Sequence, residues 1–295
     1  MRRFLPILLL LCPGLSQAAD RAQTPSTPNG SAPAKTAAAP APQNPNPSST
    51  SLAADNSDPD TRKAKQLVQQ AIDALGGTAY LTIHDRESQG RTYGFHGGRA
   101  TGQGILFWSF WQFPAEERVE LTKERDVAEL YIGPKGYEIT YKGVHPIEEK
   151  DLVDYLRRRY FSIDTVLRTW VNDPGVIFLY QGFKVAAQHP AMEVTLVNSK
   201  DESVTLDFDQ QTHLPIRKSF EWRDPIDRQK NLEEEIYENY KPVGGIMTPY
   251  NITRYFNGDM SNERFLFNVT INQYPDPDMF NPNSGYDPNK VKGKK

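Results

Sequence analysis

The sequence predicts an α+β fold: a large antiparallel sheet of about eleven strands, curled into an open half-barrel, with helices covering its concave side. Three observations lead there. Residues 105–113 alternate Ile105, Phe107, Ser109, Trp111 and Phe113 with Leu106, Trp108, Phe110 and Gln112. Successive strand side chains point to opposite faces, so this ribbon is apolar on both and needs two covers. Alternating segments then recur along the chain, separated by short turn-rich loops. Finally, helices are scarce. Eleven strands about 4.8 Å apart make a sheet roughly 50 Å wide. Three helices of about 10–12 Å cover only some 30–35 Å. Such a sheet curls, and helices too few to fill it leave a hollow able to take a ligand.

The elements follow in order. Asp58 or Asp60 can cap a helix in which Ala64, Leu67, Val68, Ala71, Ile72 and Leu75 share one face, and Gly76-Gly77 ends it. A glycine-broken strand spans about residues 87–96. Gly102-Gln103-Gly104 opens a strand rather than a helix, so it is no phosphate loop. Strands around Val119 and Leu121, at 127–132 and from Gly136 make a meander, with Tyr137, Ile139 and Tyr141 sharing a face. Residues 146–172 form a helical insertion. Leu152, Val153, Tyr155 and Leu156 make its first apolar face, and Ser162 caps a second segment carrying Val166, Leu167 and Trp170. The run Arg157-Arg158-Arg159 reads as a solvated helix end, with a docking patch for an acidic partner or lipid headgroup as the alternative. Strands resume at Val176 and continue through Met192–Leu196, Val204–Phe208, Ile216–Trp222, Leu232–Tyr240, Ile246–Ile252 and Phe265–Ile271. Lys218 sits awkwardly among Ile216, Phe220 and Trp222.

The ends differ in composition. Residues 1–18 read as a cleavable secretory signal, with Arg2-Arg3, a short apolar core and Ser16-Gln17-Ala18 before the cut. Residues 19–57 are rich in Ala, Pro, Ser and Asn and read as a disordered linker. The folded domain is expected over 58–280, and 281–295 as a flexible basic tail. Cys12, the only cysteine, lies in the leader, so the mature chain has no disulfide. Leu11 before it argues against a lipidation motif.

The 295 residues carry a formal net charge of −3, which gives no nucleic-acid footprint. The five histidines show no metal-ligand spacing, and no nucleophile elbow is present. Acidic pairs such as Glu148-Glu149 and the run Glu233-Glu234-Glu235 read as solvated edges. The hollow is expected to hold few ionised groups, because they are costly in an apolar cavity.

Several segments together resemble the LolA-type family of periplasmic lipoprotein carriers and outer-membrane lipoprotein-sorting proteins. They are the helix ending Ala74-Leu75-Gly76-Gly77, the strand from Gly102-Gln103-Gly104 to Phe113-Pro114, and the turn from Asp209 to Pro215. Tyr240 followed by Val243-Gly244-Gly245-Ile246-Met247, and Val269-Thr270-Ile271-Asn272 before Asp276, complete the set. The resemblance implies a periplasmic, non-catalytic carrier that needs no cofactor and shelters lipid or lipoprotein acyl chains. Membrane-bound donor and acceptor proteins are its implied partners. An envelope sensor or interaction module docking a lipoprotein or peptide in the same hollow is the alternative. By family parity Phe107, Trp111, Phe113, Tyr137, Ile139, Val194, Leu196, Leu206 and Phe208 line the acyl cavity, and Val166, Leu167 and Trp170 belong to a lid. The family has an arginine before the strand-end proline that helps hold the lid. Phe113 stands there in this chain.

Overall fold

The structure is a computed structural model that describes residues 58–283. The expected leader, linker and the tail past 283 lie outside the described residues. The chain opens with α1 (Pro59–Leu75) and the single turn α2 (Thr78–Leu81). The strands β1 (Asp85–His96), β2 (Arg99–Ala100), β3 (Ile105–Gln112), β4 (Glu116–Leu121), β5 (Val127–Ile132), β6 (Lys135–Thr140) and β7 (Gly143–Pro146) follow. Helices α3 (Glu149–Tyr160) and α4 (Ile163–Arg168) interrupt them. The chain then returns to β8 (Ile177–Ala186), β9 (His189–Val197), β10 (Ser203–Asp209), β11 (Pro215–Arg223), β12 (Lys230–Val243), β13 (Ile246–Phe256) and β14 (Asp259–Ile271).

All fourteen strands belong to one open antiparallel sheet in the order β7-β6-β5-β4-β3-β1-β14-β13-β12-β11-β10-β9-β8, with β2 off the path beside β1. The expected half-barrel is therefore present, with more strands than the sequence showed. The short β2 and β7 carry no hydrophobic alternation to announce them. The long-range pair β1–β14 joins the two halves of the sheet.

Asp58 caps α1 by accepting from the Thr61 amide at 2.8 Å. Ala64, Leu67, Val68, Ala71, Ile72 and Leu75 are all buried, as their spacing predicts. They lie on β8 and β9 and pack with Phe178, Val194, Leu196, Val204, Leu206, Phe208 and Phe220, and with Val166, Leu167 and Trp170 of the insertion. This is the main core, and it fills only the β8–β11 half of the concave side. The back of β3 and β5 is covered separately. Phe110 and Leu130 pack there with Met279 and Phe280, flanked by Trp108, Ile132, Tyr137 and Ile139. One face of the ribbon is thus covered by the Met279–Phe280 turn; on the other, Trp111 packs against the main core and Phe107 faces the hollow.

One irregularity changes which residues face inward. Strict alternation from Phe265 to Ile271 would place Phe265, Phe267, Val269 and Ile271 together. A bulge in β14, opposite Gln89 and Gly90, breaks it. Val269 is buried, whereas Phe265 and Phe267 are 37% and 56% exposed, and Leu266 and Arg264 turn into the concave side. Gly90 permits the close approach. A Cβ there would lie 2.3 Å from the Phe265 carbonyl oxygen and 2.9 Å from Phe107 Cζ. Gly90→Ala should therefore destabilise the fold by about 1–3 kcal/mol through overpacking, read as a lowered denaturant midpoint at unchanged slope.

Candidate functional site

The half of the concave side that α1 leaves free is a hollow of about 1710 Å³. Drug-sized ligands occupy pockets of about 300–1,000 Å³, so this space is large. Cross-strand pairing sets its wall. Arg86, Trp111, Glu117 and Tyr131 stand side by side on β1, β3, β4 and β5, and Ser88, Ser109, Val119, Glu129 and Glu138 form the next row. Ile105, Phe107, Leu121, Val127, Leu266 and Ile271 add apolar surface, and Arg254, Arg264 and Tyr237 stand on the β12–β14 side.

Helix α3 spans the mouth. It buries no residue fully and is held by specific contacts instead. The Tyr155 ring stacks on Tyr131 at 3.4 Å, and its hydroxyl donates to Glu117 at 2.8 Å. Arg157 lies 3.5 Å over the Trp222 ring and donates to Glu233 on β12 at 3.0 Å. Arg159 donates to the carbonyls of Ala115 and Gly133 at 2.9 and 2.7 Å. The arginine run is therefore not a solvated helix end. Two of its members fasten the helix to the sheet, and Arg158 lines the hollow. Sequence reasoning missed this because the partners, strand residues Trp222 and Glu233 and the turn carbonyls of Ala115 and Gly133, are distant in the chain.

The residues expected in the site fall into four places. Phe107 and Trp111 face the hollow. Phe113 lies past the end of β3, edge-on to Trp111 at 5.6 Å and 3.7 Å beneath the Arg168 guanidinium. Arg168 also donates to the carbonyls of Leu81 and Ile83. The strand-end position thus carries an aromatic ring, and the cation that rests on it comes from α4. Tyr137 and Ile139 lie on the opposite face of the sheet, against Phe110 and Leu130. The parity of β6 turns Glu138 and Thr140 inward in their place. Val194, Leu196, Leu206 and Phe208 are fully buried beneath α1 and open onto no space. The expected lid residues Val166, Leu167 and Trp170 are equally buried in that core. The segment over the hollow is α3.

The expectation of few ionised groups is also overturned. Glu117 accepts from Ser109 at 2.9 Å as well as from Tyr155, and Glu129 accepts from Tyr131 at 2.8 Å. Burial, with Glu117 nearby, pushes the Glu129 carboxyl up. Lys218, the awkward strand lysine, is 1% exposed and lies 2.9 Å from Glu235, which also takes bonds from Arg254 at 2.8 Å and Tyr237 at 2.7 Å. Burial alone would raise the Glu235 carboxyl, but Lys218 and Arg254 outweigh it and hold it well below its ordinary 4.5. A carboxyl depressed in the folded state stabilises fully above its unfolded value, and that contribution fades as pH falls below about 4.5. Glu235→Gln should cost on the order of 3 kcal/mol at neutral pH, because Lys218 is left buried without its anion. It should also flatten the acid limb of a stability-versus-pH curve measured by urea unfolding.

Among the described residues no group of three or more His, Cys, Asp or Glu side chains is placed to hold a metal ion, and no helix is long and apolar enough to cross a membrane. No family model and no curated protein matches the sequence. Solved structures do. A DUF1329 family protein from Desulfovibrio piger superposes with a TM-score of 0.53 at 12% identity, covering 74% of this chain and 96% of its own. An outer membrane lipoprotein-sorting protein domain from Vibrio parahaemolyticus gives 0.50 at 10% identity, covering 75% and 98%. A LolA superfamily protein from Nitrosomonas europaea gives 0.46 at 12%, covering 73% and 96%. At these identities the likeness is one of fold alone, and it is carried by the Desulfovibrio and Vibrio structures.

Proposed function

We propose that the protein is a non-catalytic carrier of the cell envelope that shelters the acyl chain of a lipid or lipoprotein in its hollow. The observation that carries this reading is the half-filled sheet. One side of the concave surface is plugged by α1, and the other leaves about 1710 Å³ under α3. Ile105, Phe107, Trp111, Val119, Leu121 and Val127 offer an apolar lining on the β3–β5 wall. Burying a methylene there contributes about 0.8 kcal/mol, so a long chain can be held largely by its length. The leader read from residues 1–18 and the name of the Vibrio structure both support a periplasmic setting. The carboxylates Glu117 and Glu129 already accept hydrogen bonds from neighbouring side chains, which supports holding over hydrolysis. α3 is the element that must move to admit a guest, since it is tied down by stacking and ion pairs and not by a buried apolar face.

The charged groups in the wall favour a second reading, in which the hollow docks a partner peptide and the protein acts as an envelope sensor. A pull-down from periplasmic extract that recovers a stoichiometric protein partner and no lipid would favour it.

Solvent extraction of the purified protein followed by mass spectrometry should yield a co-purifying acyl lipid. Val119→Trp, which fills the hollow from the β4 wall, should weaken binding of a fluorescent fatty acid at least tenfold while the melting temperature moves by only a few degrees. Unchanged affinity in that variant, or a wild-type protein that neither carries lipid nor binds the probe, sinks the carrier reading.

A further inference from the structure

We infer that the hollow reads the charge of its guest: Arg158 of α3 with Arg254 and Arg264 of the sheet forms a seat for the oxyanion, carboxylate or phosphate, at the head of an acyl chain. The inference rests on the carrier reading and adds the chemistry of the headgroup.

The bulge in β14 is what brings Arg264 inward. Arg264 pairs across the sheet with Ile252 and Arg254 with Asn262, so the two arginines lie on one face at a diagonal, within reach of a single small anion. Arg158 joins them from α3 above. Among the described residues no carboxylate forms a close ion pair with Arg158 or Arg264; Glu117 and Glu235 act on Arg264 only at longer range, and its guanidinium lies 5.7 Å from the Phe107 ring centroid. Arg254 uses its Nε on Glu235, leaving the remainder of its guanidinium toward the hollow.

The carboxylates nearest the three arginines are already engaged. Glu235 is already served by Lys218 and Arg254, and Glu233 and Asp154 are both served by Arg157. Across the hollow Glu117 and Glu129 are hydrogen bonded to their own neighbours, and Glu138 stands beyond them on β6. Burial and then the neighbouring Arg254 push Arg264 down to about 10 and lower Arg158 as well. A bound oxyanion relieves that repulsion. Guanidinium groups take carboxylate or phosphate through paired, charge-assisted hydrogen bonds, and Phe107 beside Arg264 starts the apolar path for the chain.

The test compares palmitate, hexadecanol and inorganic phosphate by isothermal titration calorimetry on the whole protein. Palmitate should bind at least tenfold tighter than hexadecanol. R264Q and R158Q should each lose about tenfold in palmitate affinity, and R264K should retain most of it, with circular dichroism melts confirming folded variants. Hexadecanol binding as tightly as palmitate overturns the headgroup seat and leaves the carrier reading standing. Inorganic phosphate binding alone at micromolar concentration overturns the amphiphile in favour of a free anion. No binding of either long-chain probe removes the carrier reading itself.

Discussion

The pairing of β1 with β14 is the contact on which the molecule depends. It brings together residues about 180 positions apart, such as Arg86 and Ile271. Without it the sheet would be two meanders, each with an exposed edge in the middle. With it, β3–β7 and β8–β13 become one curved surface. Buried Asp85 reinforces the junction by accepting from the amides of Gln273 and Tyr274 at 2.8 and 3.0 Å. The same pair contains the bulge, so the seam that closes the sheet also decides which β14 side chains face inward.

Much of this was legible in the chain. The 3.6-residue spacing of Ala64 to Leu75 set the buried face of α1, and the alternation in β9 and β10 set the buried faces of those strands. The two-sided ribbon at 105–113 called for a cover on each face; the Met279–Phe280 turn supplies one, and the main core reaches the other only at Trp111. What alternation cannot show is which part of a curved face the helices occupy. Val194, Leu196, Leu206 and Phe208 point to the concave side as expected, yet they meet α1 and not a void. Tyr137 and Ile139 fail for a different reason. Parity assigns two faces to a strand but does not say which is concave, and β6 presents its glutamate and threonine inward.

The charged lining was the least legible part, because each of its members looked ordinary alone. A glutamate run reads as a solvated edge, a lysine in a strand as an anomaly and an arginine run as a helix end. Folding places them against one another: Lys218, Glu235 and Arg254 across β11, β12 and β13, and Arg157 on Glu233 from α3. Buried charges persist when they are paired, and pairing between distant segments leaves no local signature. The bulge is equally silent, since one extra residue opposite a glycine has no pattern of its own.

The division of the concave surface has a bearing on how the protein tolerates substitution. The helix that anchors the fold and the hollow occupy separate territories on one sheet. Apolar packing holds the filled half, and the other half is held by ion pairs and stacking instead. In a protein arranged in this way the lining of the hollow can be reshaped by substitution while the packed core under the first helix stays intact.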